Sequence, residues 1–217
     1  MRVITFISFL ASATIAAASL VPLETELPKP SYKGTPVPIQ VANLEPPRAG
    51  ERPAIMVPEG TVNLAAGKPV ESSDEWPIIG EPEYITDGDK QAEEGYYIEL
   101  GPDLQWVQID LEQESEIFAI LLWHYHAQAR VYHDVIVQIS SDPGFETGVI
   151  TVFNNDHDNS AGMGIGKDMA YIESHEGRAI ETGGGKGRYV RLYSNGNTSD
   201  GMNHYIEVEV FGLPVPE

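Results

Sequence analysis

From Thr61 onward, the sequence consists of short apolar-alternating runs separated by clusters of Gly, Asn, Asp and Pro. Alternation of this kind is typical of β-strands, and no helical stripe longer than two turns interrupts it. The predicted strands are Trp106–Leu111, Ile117–His126, His133–Ser140, Gly148–Phe153, Arg188–Tyr193 and Tyr205–Phe211. Many short strands with turn residues between them predict an all-β, antiparallel sandwich or barrel.

Side-chain alternation also predicts which residues face the core. Side chains two positions apart on a strand share a face. Ile120, Leu122 and His124 therefore form one inward row. A second inward row consists of Val135, Val137 and Ile139.

The start of the chain reads as an export signal. Met1-Arg2 precedes an uncharged apolar run, residues 3–18, which closes on three alanines. A signal peptide has a positively charged start, a short apolar stretch and small residues at the cleavage site. The apolar run is shorter than the stretch that a membrane-spanning helix needs. An N-terminal core helix is the alternative. We expect residues 1–18 to be a signal peptide and the protein to be extracellular, on the cell surface or periplasmic.

Residues 19–60 are crowded with proline, and no apolar period survives there. Proline fixes φ and removes a backbone donor, so an extended and unpacked spacer is expected. An edge strand laid against the following domain is the alternative.

Composition limits the partners. The formal net charge is −20, which repels phosphate backbones and anionic lipid. Nucleic-acid binding and strong membrane binding are therefore not expected, whereas neutral sugars and cations remain compatible. The chain has no Cys, so disulfides and thiolate chemistry are excluded.

Five segments in order resemble the discoidin, or coagulation factor type C, domain family, and the similarity extends to family 32 carbohydrate-binding modules. They are Asn63–Val70, Thr86–Asp89, Trp106–Leu111, Arg188–Leu192 and Glu207–Gly212. The resemblance covers residues 61–212 and leaves 213–217 as a tail. It implies a galactose-binding-like jelly-roll sandwich, with ligand loops gathered at one end.

The resemblance also implies a structural calcium. Its ligands would be Asp87, Glu207 and backbone carbonyls around Tyr84 and Asp89. Carboxylate and carbonyl oxygens are the donors that Ca²⁺ prefers. The alternative is an Asp side chain that stabilises its own turn, together with an exposed strand glutamate.

The densest polar and aromatic cluster begins at Trp123. It predicts a sugar site, because sugars need hydrogen-bond donors for hydroxyls beside an aromatic ring. The predicted ligand residues are His124, His126, Arg130 and His133. Two alternatives are a buried core histidine at 124 and a zinc site built from His124, His126 and His133.

Two further loops add candidates. The loop 154–160 has oxygen donors at alternating positions, including Asn154 and Asp156, and a polar turn is its alternative explanation. A flexible loop brings His204 beside the last strand. We predict that Asn154, Asp156 and His204 also contact the ligand.

Three functions compete. The first is a non-catalytic module that binds a glycan, and the second is a module that binds a surface protein. The third is a metal-dependent hydrolase using the histidine cluster. The sequence has no Gly-x-Ser-x-Gly elbow and no His-Glu-x-x-His motif, which disfavours the third.

Overall fold

The computed structural model describes residues 19–35 and 37–216, so the predicted signal peptide lies outside the described residues. A 3-10 helix spans Pro82–Thr86. The strands are β1 Leu20–Pro22, β2 Met56–Pro58, β3 Val62–Asn63, β4 Val70–Ser72, β5 Ile98–Leu100, β6 Leu104–His124, β7 Ile136–Ser140, β8 Ile150–Asn154, β9 Arg178–Asn195 and β10 Asn203–Pro214. Within the described ranges, no helix has the length and apolar character needed to cross a membrane.

Two long strands, β6 and β9, pass through both layers of the fold. Their register shifts between Asp110 and Ser115, where Glu112 has a φ of 66°. Before this bulge, β6 pairs with β4 and with the second half of β9, which continues to β7 and β8. After it, β6 pairs with the first half of β9 and with β10, which also carries β3 and β5.

The result is the predicted antiparallel β-sandwich, but its strands differ in extent, since β9 begins at Arg178 and not at the predicted Arg188. The segments 106–111 and 117–126 belong to one strand, β6, which ends at His124. A bulge bends a strand without ending it, so turn-like residues between the two segments mark a corner and not a loop.

The core lies between the two layers and contains the predicted inward rows. Ile120 and Leu122 from β6 pack in one cluster with Val137 and Ile139 from β7. These side chains are fully buried. Burial of apolar area of this kind is the main stabilising term, at about 25 cal/mol per Å².

The segment Ser19–Gly60, which we call the N-terminal strap, packs against the sandwich, so the predicted unpacked spacer is wrong. β1 and β2 pair with each other. Ile55 and Val57 are buried in a second apolar cluster with Leu121 and Trp123 on the outer face of β6. Proline removed backbone donors from the strap, but its remaining apolar side chains still cover this sheet face.

Polar contacts hold the strap along its length. The backbone of Ala170 donates to the carbonyl of Asn43 at 3.0 Å and accepts from Glu45 at 2.8 Å. Lys90 pairs with Glu209 at 2.6 Å, with both side chains about nine-tenths buried, and donates to the carbonyl of Glu26 at 3.0 Å. The strap and the sandwich therefore form one packed unit.

Candidate functional site

His124 lies in the core and cannot reach a ligand. Its exposed fraction is 0%. Its Nδ1 lies 2.7 Å from Oε1 of Glu173, and its ring stacks on Tyr132 with centroids 4.2 Å apart. The ligand role predicted for His124 is wrong, because it shares the inward face of β6 with Ile120 and Leu122.

His204 belongs to the same buried group. Its Nδ1 lies 2.9 Å from the Tyr132 hydroxyl, and its Nε2 lies 3.2 Å from a carboxylate oxygen of Glu99. Burial lowers the pKa of His204 to about 4, with the positive charge of Arg130 as the next cause. A neutral ring accepts from Tyr132 and donates to Glu99, which satisfies both nitrogens. His204 is therefore not the ligand contact that we predicted.

His126 is also buried, with its Nε2 3.0 Å from the carbonyl oxygen of Lys90. Burial lowers its pKa, so the ring is neutral and donates to that carbonyl. The predicted contact of His126 with a ligand is wrong. The zinc alternative fails as well, since the group of possible metal ligands found in the described ranges contains three aspartates and no histidine.

Arg130 is only 5% exposed. Its guanidinium lies 4.7 Å from the centre of the Tyr125 ring, and Nη1 is 3.6 Å from a carboxylate oxygen of Asp200. Neighbouring residues of the protein therefore cover most of the Arg130 side chain. We call the buried group of His124, Arg130, Tyr132, Glu173 and His204 the closed cluster.

An open groove lies beside the closed cluster, between the strap and the loops at one end of the sandwich. Its volume is about 900 Å³, within the size range of ligand sites. We call it the loop-end groove, and its lining includes Tyr32, Val37, Ile39, Gln128, His133, His157 and Thr198. His133 is the one predicted ligand residue that lines it.

The other groove residues escaped prediction for identifiable reasons. His157 stands in the polar loop 154–160, whose predicted ligand residues were the oxygen donors Asn154 and Asp156. Tyr32 was hidden in the strap, which we expected to be unpacked. Gln128 lies two residues after His126, and this position among the predicted ligand residues is the sequence signal that points to it.

Asn154 and Asp156 hold the loop and do not face the groove. Asn154 Nδ2 donates to the carbonyl of Gly164, and both carboxylate oxygens of Asp156 accept backbone N–H groups at 3.0 and 2.9 Å. Gly166 fits closely here, since a Cβ at that position would lie 2.2 Å from the Asn154 carbonyl oxygen. The ligand roles predicted for Asn154 and Asp156 are replaced by structural ones.

A smaller cavity of about 280 Å³ adjoins the groove and shares His133 and His157 with it. Asp134 and Asp158 line this cavity, together with Asn155. The carboxylates of Asp134, Asp156 and Asp158 each place an oxygen within 4.8 Å of the other two. The cavity is therefore strongly acidic.

Two of the residues expected to bind calcium lie near each other at the other candidate site, because Glu207 bonds to Gly88, the residue after Asp87. Glu207 is fully buried on β10, and its Oε2 accepts the backbone N–H of Gly88 at 3.1 Å. Its Oε1 has no hydrogen-bond partner in the described part of the chain. Burial raises the pKa of Glu207 to about 9, because a negative charge is unfavourable away from water. A cation beside Asp87 would stabilise that charge.

The other residues predicted to bind calcium lie on both sides of Gly88, whose N–H bonds to Glu207. Tyr84 lies in the 3-10 helix that leads to Asp87. Asp87 Oδ1 accepts the N–H of Asp89, and Asp89 Oδ1 accepts the N–H of Gln91. Each carboxylate keeps one oxygen outside these bonds, so the residues present fit a calcium ion.

Comparisons with known proteins agree on the fold. No family model matches the sequence, and no curated protein matches it either. A truncated AlyQ with CBM32 and alginate lyase domains has a TM-score of 0.52 at 16% identity, over 72% of this chain and 34% of that one. A family 89 glycoside hydrolase from Clostridium perfringens in complex with PUGNAc has a TM-score of 0.51 at 19% identity, over 72% and 16%.

An isolated CBM32 of AlyQ in complex with 4,5-unsaturated mannuronic acid is also similar, with a TM-score of 0.49 and 18% identity, over 66% of this chain and 93% of that one. The two structures with TM-scores above 0.5 confirm the expected resemblance at the level of the fold. The chain has the antiparallel β-sandwich fold of a solved structure that contains a family 32 carbohydrate-binding module.

Proposed function

We propose that this protein is an exported binding module that holds a glycan in the loop-end groove. The observation that carries the proposal is a groove of ligand size lined by polar side chains that are not used elsewhere. Among the described residues, the side chains of Gln128, His133 and His157 form no hydrogen bond with the protein. The fold, shared with carbohydrate-binding modules, supports the same assignment.

The chemistry of the groove suits a sugar. Tyr32 provides an aromatic ring for the apolar face of a pyranose, and the imidazoles of His133 and His157 can donate to or accept from hydroxyl groups. Val37 and Ile39 add apolar surface on the strap side. A mixed lining of this kind binds neutral, hydroxylated ligands without a charged anchor.

A glycan array followed by affinity electrophoresis tests the proposal. We expect the wild type to bind at least one glycan, and we expect His133→Ala and His157→Ala to weaken that binding about tenfold each, the loss of one or two hydrogen bonds. His175→Ala is a matched control, because that histidine lies beside a different cavity. Wild-type protein that is retained by no glycan would rule the proposal out.

We also propose that calcium is held by Asp87, Glu207 and the carbonyl groups near Tyr84 and Asp89. The buried and unpartnered Oε1 of Glu207 supports this. The ion would link the 3-10 helix to β10 and so stabilise the fold. A calcium-dependent rise in the melting temperature that is absent from Asp87→Asn is expected. An equal rise in both proteins would contradict it.

A surface protein is the second candidate partner. Trp76 is 84% exposed, and Ile78 and Tyr96 are exposed in neighbouring loops. Exposed aromatic groups of this kind are common in protein interfaces. Capture of a single stoichiometric partner by the wild type, lost on Trp76→Ala and retained on His133→Ala, would favour this function over glycan binding.

A further inference from the structure

We propose that the glycan site continues from the loop-end groove into a second cavity, where arginine side chains bind the acidic group of a longer, acidic oligosaccharide. The second cavity has a volume of about 730 Å³, and we call it the strap cavity. It lies between the strap and the segment 171–181 of the sandwich. This inference rests on the proposed function, because it names the class of glycan that the same site takes.

The loop-end groove and the strap cavity adjoin each other. Tyr32 and Thr35 line both of them. Gly34 stands between these two residues, and a Cβ there would meet no atom within 4 Å beyond its chain neighbours. The junction therefore has open space. Each cavity alone has the volume of a ligand site, so a glycan that occupies both is an oligosaccharide and not a single sugar.

The two cavities differ in charge. Among the described residues that line the groove, none is Asp, Glu, Lys or Arg. The described part of the chain has six arginines, and three of them line the strap cavity, Arg48, Arg52 and Arg178. In a chain with a formal net charge of −20, this is a local concentration of positive side chains. Neutral sugar units therefore suit the groove, and an acidic group suits the strap cavity.

The carboxylates of the strap cavity are paired or exposed. Glu45 accepts from Arg178 at 2.8 Å, and Glu176 accepts from Arg48. Glu181 is exposed on β9, where water weakens the effect of its charge. These glutamates therefore leave the third arginine of the cavity without a carboxylate partner.

That third arginine, Arg52, is held in position but keeps free donors. It is half-buried, and its Nη1 donates to the carbonyls of Glu176 at 2.7 Å and Gly177 at 3.4 Å. Within residues 19–35 and 37–216, its Nε and Nη2 form no hydrogen bond, and no carboxylate pairs with it. Partial burial lowers the pKa of Arg52, because a positive charge is unfavourable away from water. An anion bound by the free N–H groups would stabilise that charge.

Apolar surface for sugar rings lines the same cavity. Pro46, Pro47 and Ile55 contribute it from the strap, and Tyr171 contributes it from the sandwich. The Tyr171 ring also packs against the Arg178 guanidinium, with the ring centre 4.7 Å away, which orients that arginine. A mostly apolar lining with a few charged donors is the usual composition of a site that orients a small polar ligand.

An array of short and long oligosaccharides tests the proposal with the full chain. It carries each backbone in a neutral, a uronate-containing and a sulfated form. We expect the acidic forms to bind at least tenfold more tightly than the neutral form, and the two acidic forms distinguish a carboxylate from a sulfate. We also expect long oligosaccharides to bind more tightly than short ones, because only a long one fills both cavities.

Variants separate the two cavities. In calorimetry, Arg52→Gln should weaken binding of the strongest acidic ligand at least tenfold and leave its methyl ester or desulfated form unchanged, whereas His133→Ala should weaken both. Arg48→Gln changes an exposed side chain and should act in the same direction, so it serves as the test if Arg52→Gln fails to fold. Arg188→Gln is the matched control, because it removes the same charge from an arginine that lines neither cavity.

The outcomes distinguish this inference from the proposed function. Equal affinity for an acidic oligosaccharide and its uncharged form, or equal weakening by Arg52→Gln and Arg188→Gln, would overturn the acidic subsite while glycan binding in the groove stands. Retention by no glycan would overturn both.

Discussion

The closed cluster and the loop-end groove lie side by side, and both contain histidine, yet they differ in where their polar groups find partners. His124 and His204 bond to Glu173, Tyr132 and Glu99 inside the protein. His133 and His157 line an open groove, and their ring nitrogens form no hydrogen bond with residues 19–35 or 37–216. A polar cluster in a sequence can therefore belong to the fold, and ligand contact requires groups whose partners are missing.

The largest expected effect comes from removing the strap, which adjoins both regions. Tyr32 donates to the Glu173 carbonyl and also lines the groove. A protein that starts at residue 59 would expose the apolar face around Leu121 and Trp123. We expect it to aggregate or lose its cooperative unfolding, in contrast to one that starts at residue 19. Size-exclusion chromatography and thermal unfolding measure this. A monomeric, cooperatively folding short form would contradict it.

The next largest effect is a loss of folding stability when the closed cluster alone is altered. Glu173→Ala leaves His124 buried without its partner, and we expect a loss of about 3 kcal/mol in the free energy of unfolding. Glu176→Ala removes a surface partner of Arg48 and should cost less than about 1 kcal/mol. Urea denaturation compares the two. Equal losses would show that the closed cluster contributes no special stability.

The histidines of the two regions should also differ in their response to pH. The pKa of His204 is about 4 in the fold and about 6.5 when unfolded. Between these values the unfolded chain binds more protons, so this contribution is complete above pH 6.5 and is lost as pH falls towards 4. We expect about 1–2 kcal/mol of lost stability between pH 7 and pH 5.

Urea denaturation at several pH values measures this loss. His204→Gln should flatten the dependence, whereas His133→Ala should keep it, because His133 borders the open groove. A slope that is identical in the wild type and in His204→Gln would exclude His204 as its source.

The smallest effect on stability is expected in the groove. His157 is exposed, and His157→Ala should change the free energy of unfolding by less than about 0.5 kcal/mol while it weakens glycan binding. A loss of stability comparable with that of Glu173→Ala would mean that the groove histidine supports the fold. Parallel urea denaturation of both variants decides between these outcomes.

The sequence predicted the sandwich well because strand alternation is local. The same alternation placed His124 with Ile120 and Leu122, so its burial was already visible. The burial of His126 was not, because it depends on the Lys90 carbonyl 36 residues away. Packing of the strap was also hidden, since proline reports on local backbone conformation and not on what covers Trp123. Convergence of Asp134 with Asp158 likewise required the pairing of β7 with β8.

The pairing of β1 with β2 has a mechanical consequence. Ser19 and Glu59 lie at the same end of this short ladder, with the Glu59 N–H bonded to the Ser19 carbonyl. A pull on the chain before Leu20 would separate the ladder one hydrogen bond at a time, as a zipper opens, and would not shear all of its bonds together. Tension from the N-terminal side would thus release β1 at low force, before the buried contacts that hold the rest of the strap.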